Sequence, residues 1–340
     1  MANTREQRIT HLYESLKQRI LLLDGAMGTM IQRHKLSEED YRGEEFKDYA
    51  HSLKGNNDLL VLTQPDIIRD IHLAFMRAGA DIIETNTFNA NAISMLDYHM
   101  SDRVVDLNIA AVKVANEARD IYASESDRTV FIAGALGPTN KTASLSPDVN
   151  NPGYRGVSFD ELVSCYTEQT IALVEAGADL ILVETVFDTL NCKAALFAIN
   201  TLKEERNWDV PVMVSGTITD ASGRTLSGQT TEAFYNSIAH GNLLSVGLNC
   251  ALGADQMRQY VEELSRVSEV YVSCYPNAGL PNEFGEYDDS PEHMSGVIAD
   301  WAQQGWVNIV GGCCGTTPEH IKFIADSCKK FAPRPLPLRV

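Results

Sequence analysis

Residues 176–186 read AGADLILVETV. Gly177 closes a helical pattern, in the place where glycine serves a chain whose φ turns positive just past a helix C-terminus. The residues behind it are almost continuously Leu, Ile and Val. That is the pattern of a parallel strand buried on both faces, and this one ends in Glu184-Thr185. The same phrase occurs at 78–88 as AGADIIETNTF, ending in Glu84-Thr85 before Asn86 and Thr87. It reads either as the trace of a repeated βα unit or as two solutions to one turn. Six further runs carry the pattern along the chain: RILLLDG, VFIAGALGP, PVMVSGTI, LSVGLNC, VYVSCYP and VNIVGGCCG. The eight runs begin near residues 19, 81, 130, 179, 211, 244, 270 and 307. Amphipathic segments fill the gaps, so the chain alternates β and α and should build a parallel sheet. Eight units predict a single (β/α)8 TIM-type barrel.

The punctuation agrees. Glycines at 79, 177 and 305 precede strands, and Ser158/Glu161 and Thr316/Glu319 read as capping boxes, with Pro318 in a first turn. Long irregular stretches at 137–157, 218–230 and 276–290 follow strands three, five and seven, and so fall at the C-terminal face where barrel active sites are built. The expected organisation is an N-terminal helical extension (1–18), the barrel (19–331) and a Pro-rich tail or start of an interdomain linker (332–340).

Bulk properties exclude several functions. The chain has 340 residues, 28 Lys and Arg against 46 Asp and Glu, and a net charge of −18. That balance excludes nucleic acid and anionic membrane surfaces as partners. No apolar signal segment and no run of 18 apolar residues is present, which predicts a cytoplasmic protein. Its seven cysteines are then to be read as thiols, metal ligands or catalytic groups before disulfides.

If the barrel is right, the strand ends bring a polar set to one mouth: Asp24-Gly25, Glu84, Asn86, Glu184, Ser215, Thr217, Cys250, Cys274, Asn277 and Cys313-Cys314. Gly134 to Gly137 should turn the chain at the rim. The sharpest signal is Gly311-Gly312-Cys313-Cys314-Gly315. Neighbouring side chains of a strand point to opposite faces, so two adjacent cysteines share a metal only if the backbone leaves strand geometry, which flanking glycines permit. The helix starting at Thr317-Pro318 favours thiolates, and zinc is the natural occupant of a thiolate site. The third sulfur is Cys250 or Cys274; three ligands would leave one position open, the mark of a catalytic zinc. A buried thiol pair or a vicinal disulfide are the competing readings. Grouped carboxylates at Asp24, Glu84 and Glu184 point to a cationic partner such as a substrate ammonium. Cys165, Cys192 and Cys328 fall in helical pattern as packing residues. Asp24-Gly25-Ala26-Met27-Gly28-Thr29 is no dinucleotide fingerprint, and its glycines are expected to let the backbone approach a substrate.

DGAMGTMIQ (24–32), KGNNDLL (54–60), GADIIETNTF (79–88), GALGPTNKT (134–142), VSGTITDASGRTLSGQT (214–230), GLNCALG (247–253), PNAGLPN (276–282) and NIVGGCCGTTP (308–318) together resemble the homocysteine-binding module of cobalamin-dependent methionine synthases. Betaine- and S-methylmethionine-dependent homocysteine methyltransferases share the barrel and the Cys…Cys-Cys pattern, but the wording at GRTLSGQT and NIVGGCCGTTP is nearer to methionine synthase. The resemblance implies a methyltransferase with Zn2+ on Cys250, Cys313 and Cys314, deciding against Cys274. It implies L-homocysteine sulfur in the fourth position and Asn277 as a stand-in when substrate is absent. Asp24 and Glu184 would hold the substrate ammonium and the backbone from Gly25 its carboxylate, with Glu84, Asn86, Gly137, Ser215 and Thr217 completing the substrate site. Methylcobalamin would be the donor, carried by cobalamin- and folate-binding modules in cis or in trans, since no D-x-H-x-x-G cobalamin motif occurs here. The alternatives are a stand-alone enzyme using betaine or S-methylmethionine and a non-catalytic zinc-stabilised module. A metal-free aldolase would want a lysine at a strand end, and none of the eight runs has one.

Overall fold

The computed structural model describes residues 4–219 and 222–337. All eight expected strands form, each within two residues of its predicted start. In chain order the elements are α1 (Arg5–Gln18), β1 (Leu21–Leu22), α2 (Met27–Gln32), α3 (Glu38–Arg42), α4 (Leu60–Thr63), α5 (Pro65–Ala78), β2 (Ile82–Glu84), α6 (Ala92–Met95) and α7 (Val104–Ala123). There follow β3 (Phe131–Leu136), α8 (Phe159–Ala176), β4 (Leu180–Val186), α9 (Thr189–Arg206), β5 (Val212–Gly216), α10 (Thr231–Ile238), β6 (Ser245–Gly253), α11 (Ala254–Val267), β7 (Tyr271–Asn277), α12 (Pro291–Gln303), β8 (Ile309–Val310) and α13 (Pro318–Cys328). Every strand pairs in parallel with its neighbour, in the order β1-β8-β7-β6-β5-β4-β3-β2. A bridge from Leu23 to Ile82 brings β1 beside β2 and completes the ring. The protein is a (β/α)8 barrel.

The apolar residues sort into two cores, because each strand is buried on both faces. One lies between the strands and the surrounding helices. The other fills the barrel and includes Leu21, Leu23, Ile82, Phe131, Leu182 and Met213. Leu12 and Leu16 of α1 belong to this inner core. The helix therefore plugs the N-terminal end of the barrel and is not a loose extension. Ion pairs anchor it there: Arg8 Nε donates to Asp179 Oδ1 at 2.8 Å, and Arg19, just past the helix, forms a fork with both oxygens of Asp81.

Asp81 and Asp179 are the aspartates of the repeated AGAD phrase, and they do the same work. Asp81 accepts the backbone N–H of Leu22 on β1, and Asp179 that of Ile132 on β3, each at 2.9 Å. Each is fully buried between two arginines, Arg19 and Arg128 or Arg8 and Arg119. Asn308 repeats the device before β8, accepting from Val272 N. Gly79 and Gly177 adopt the positive φ expected of them, +119° and +108°.

Three local expectations change. The cap of α13 is Thr317 with His320 as its partner, one residue after the predicted Thr316/Glu319 pair. The longest excursion at the mouth follows β1, at 23–64, and another follows β2, at 85–103, in addition to the three predicted stretches. Their short helices and apolar residues gave them the look of ordinary βα units. At the other end, Arg334 is buried against the barrel: it donates to the carbonyls of Ser265, Val270 and Ser268, and its own carbonyl accepts from Asn308 Nδ2. Residues 338–340 of the predicted tail lie outside the described residues.

Candidate functional site

The C-terminal mouth opens into a cavity of about 760 Å³. Backbone irregularities deliver its key side chains. On β4 the register shifts between Val183 and Val186, and Thr185 takes φ +55°. On β6 it shifts between Asn249 and Gly253, and both Cys250 and Ala251 are left-handed, at +61° and +59°. Such bulges re-aim side chains beside functional sites, and left-handed non-glycine residues persist only where neighbours hold them. Asn249 is that neighbour for β4. Its Oδ1 accepts from Thr185 N at 3.1 Å and its Nδ2 donates to Thr185 Oγ1 at 2.8 Å. The same Nδ2 lies 3.9 Å from Cys313 Sγ.

The two adjacent cysteines lie beyond β8 in a turn and so escape strand alternation. Gly311, Gly312 and Gly315 make the turn possible. A Cβ on Gly311 would meet the Leu23 carbonyl at 2.8 Å, and one on Gly312 would meet Thr316 at 2.5 Å. Gly315, at φ +80°, would strike Tyr287 at 2.3 Å. Cys313 N donates to Pro276 O, Cys314 N to Asn277 Oδ1, and Gly315 N to Thr29 Oγ1. The sulfurs of Cys250, Cys313 and Cys314 all lie within 4.8 Å of one another, with Cys250 and Cys314 3.9 Å apart. Cys274 is turned away: it is fully buried, with its thiol 3.5 Å from Met257 Sδ. Within the cluster Cys314 is brought down to about 3 by hydrogen bonds from Cys250 and Cys313. Cys250, although Cys313 hydrogen-bonds to it, is pushed up to about 11 by its bond with Cys314 and by burial. One thiol of the three thus releases its proton readily and the other two resist.

Asp24, Glu84 and Glu184 converge on the same cavity. Burial raises all three. Asp24 and Glu84 sit well above the usual carboxylate range, each also repelled by Glu184, while Glu184 rises only to about 7 because Glu84 and Tyr275 hydrogen-bond to it. Asp24 accepts from Glu84 N at 3.0 Å. Arg33 lines the same cavity, but among the described residues none of the three carboxyls forms an ion pair with a cationic side chain. Like charges this close cannot all ionise in a buried site, so the group holds protons until a cation arrives.

The remaining predicted residues divide. Asn86 reaches the cavity and fastens the β1 excursion by donating to Asn57 O. Asn277 touches the cysteine turn and is committed to Cys314 N. Gly25 lines the cavity, but its missing side chain answers to packing: a Cβ would lie 2.7 Å from Phe75 and 2.8 Å from Thr316. Ser215 is fully buried beside Tyr275, and Thr217 donates to Asn249 O, so both support the site from behind. Gly137 lies away from the main cavity, where a Cβ would be 2.2 Å from Phe88 O. Tyr275, Tyr287, Asn57 and Asp58 also line the mouth. Sequence reasoning places Tyr275 at the mouth, as a residue at the end of the seventh strand, but passes over Tyr287, Asn57 and Asp58, because such residues in a loop carry no spacing signal.

The model of the family described as homocysteine S-methyltransferase matches residues 21–328, which takes in every strand and the whole site. The chain belongs to the homocysteine S-methyltransferase family. This is the coarser part of the resemblance noted above; the family match does not single out the methionine synthase module. Among solved structures, the metallated form of the homocysteine methyltransferase MmuM from Escherichia coli is similar, with TM-score 0.71 and 22% identity over 94% of this chain and 99% of that one. Its oxidized form matches equally, with 22% identity over 95% and 99%. Its apo form gives TM-score 0.65 and 23% identity over 92% and 97%. The family member described here is thus a methyltransferase on a TIM-type barrel. No helix among the described residues is long and apolar enough to cross a membrane.

Proposed function

We propose that the chain methylates the sulfur of L-homocysteine to give methionine, with zinc on Cys250, Cys313 and Cys314. The observation that carries this reading is the convergence of three thiols and three uncompensated buried carboxyls on one cavity. The donor set fits the metal. Tetrahedral zinc with bonds of about 2.3 Å separates two sulfurs by roughly 3.8 Å, close to the 3.9 Å between Cys250 and Cys314. Three protein ligands leave a fourth position for substrate sulfur. Zinc, when bound, keeps a thiol deprotonated at neutral pH and so nucleophilic.

The protein's own residues do the rest. Asp24, Glu84 and Glu184 receive the substrate ammonium, and their shared protons leave as it binds. Asn277 and Asn249 orient the two cysteine-bearing segments through the bonds described above. No protein base is needed at the transfer step, because the attacking sulfur arrives as a thiolate. The methyl group passes from donor to sulfur with the electron pair of the broken bond leaving on the donor.

For the donor, a small onium compound such as betaine or S-methylmethionine is the reading the comparisons support better, since a protein described as a homocysteine methyltransferase spans the same barrel almost end to end. Methylcobalamin on cobalamin- and folate-binding modules in cis or in trans is the second reading, supported by the wording of residues 214–230 and 308–318. The test is methionine formation by the reduced, zinc-loaded chain from homocysteine and each donor in turn. Methionine with an onium donor supports the first reading, and methionine only with methylcobalamin the second. No methionine from any donor, with zinc coordination indifferent to homocysteine, would leave a non-catalytic zinc-stabilised module.

A further inference from the structure

A second group of metal-ligating side chains lies outside this cavity. Asp255, Asp289 and His293 place one ligand atom each within 4.8 Å of one another. They come from two rigid helices and the residue leading into one of them. Asp255 is in the first turn of α11, immediately after the strand that carries Cys250. His293 is in the first turn of α12, where Ser290 caps its backbone N–H at 3.2 Å. Asp289 precedes that cap and is pinned at both backbone groups: its N–H donates to Ala278 O at 3.1 Å, and its carbonyl lies 2.9 Å from His320 Nε2.

The side chains are set up to receive a cation. His293 Nε2 already meets Asp255 Oδ2 at 2.7 Å, a contact that raises the imidazole and so marks the surroundings as anionic. The Asp289 carboxylate lies over Gly279, where only a missing side chain leaves room: a Cβ there would be 2.9 Å from its carboxyl carbon. That carboxylate makes no hydrogen bond or ion pair with any described residue. Two carboxylates beside a neutral imidazole carry excess negative charge that a proton on His293 only partly offsets. One nitrogen and two oxygens suit zinc, cobalt or nickel better than magnesium or calcium, which take all-oxygen sets.

We propose that Asp255, Asp289 and His293 bind a second divalent transition-metal ion, separate from the cysteine site. The ion ties the first turn of α11 to the base of the loop that carries Tyr287 over Cys314 and Gly315. It would fasten that wall of the cavity without touching substrate. About half of the His293 and Asp255 side-chain surface is open to solvent (51% and 54%), so the ion exchanges freely and is lost before the cysteine-bound one.

The test is equilibrium dialysis of the reduced full chain against zinc, followed by elemental analysis. The unmodified protein should hold two ions, and His293→Ala and Asp289→Asn should each hold one. Cys250→Ala should still hold the ion of the surface site, and a Cys250→Ala/His293→Ala double variant none. Cobalt added to protein already carrying one zinc should give weak visible bands without the sulfur-to-metal charge transfer of a cysteine ligand, and His293→Ala should abolish them. Hydrogen exchange in 278–288 should slow on filling the site. Two ions retained by both single surface variants, or cobalt bands unchanged by His293→Ala, would overturn the proposal. Loss of binding in Cys250→Ala with the cobalt bands intact would concern only the cysteine site.

Discussion

Shortening Leu16 to alanine tests whether α1 is part of the barrel. Leu16 is 1% exposed and packs, with Leu12, among the inward residues of the strands. The substitution removes about three carbons, a transfer loss of roughly 2.4 kcal/mol at about 0.8 per methylene. It also leaves a hole among the packed inward side chains of the strands, which brings the expected cost to about 3–4 kcal/mol. The unfolding entropy of a 340-residue chain is on the order of 0.7 kcal/mol per degree, so Tm should fall by about 4–6 °C. The assay is urea unfolding followed by fluorescence, with Glu14→Ala as a control on the exposed face of the same helix. That control should lie within about 0.5 kcal/mol of the unmodified protein. The expected result is a lower midpoint for Leu16→Ala at an unchanged m-value. Equal midpoints for the two variants would refute the plug and make residues 5–18 an appendage.

Other outcomes follow from the same geometry. His72 is fully buried without a hydrogen-bond partner for its ring, and burial lowers it to about 4. Its folded value lies below its unfolded one, so its contribution is present above about pH 6.5 and is lost as pH falls towards 4, by up to about 3 kcal/mol. His72→Leu should flatten the acid limb of a Tm-against-pH curve over that window, and an unchanged limb would place the titrating group elsewhere. Gly315→Ala must adopt φ +80° and meet Tyr287 at 2.3 Å. It should cost about 2 kcal/mol or more and weaken zinc retention against a chelator, whereas a variant as stable and as zinc-retentive as the parent would contradict the close-contact argument. Cys274→Ser should keep its zinc because that thiol faces Met257, while Cys250→Ala should lose the cysteine-bound ion; loss from both would bring Cys274 into the ligand set. Glu184→Gln should raise KM for homocysteine far more than it lowers kcat, and an equal fall in both kcat and kcat/KM would place Glu184 in the transfer step instead.

Much of the architecture was legible because buried parallel strands leave a local trace. A strand apolar on both faces reads the same from sequence as in the folded chain, and Gly79 and Gly177 mark its approach. The adjacent cysteines were legible for a similar reason, since glycines on both sides of a thiol pair have few uses. The roles of Ser215, Thr217 and Gly137 were not. A side chain at a strand end faces the cavity or the layer behind it according to the local twist, and at β4 and β6 the register shifts at Val183/Val186 and Asn249/Gly253 decide that. No propensity signals a left-handed cysteine at 250. The excursions after β1 and β2 stayed hidden because their own short helices imitate the regular rhythm.

The sequence by itself determined the alternation of β and α, the eight strands, the excess of acid and the set of thiols and carboxyls available at strand ends. Those depend on residue type and near neighbours alone. Residue spacing left Cys250 and Cys274 both open, and tertiary structure sets the Cys250 sulfur beside Cys313 and Cys314 as the family resemblance implied; it also brings three carboxyls into one cavity without an ion pair and seats α1 on the barrel floor. Each of these brings together groups far apart in the chain, such as Cys250 with Cys314 or Arg8 with Asp179. Only closure of the ring sets such distances, because every strand's position depends on the two beside it.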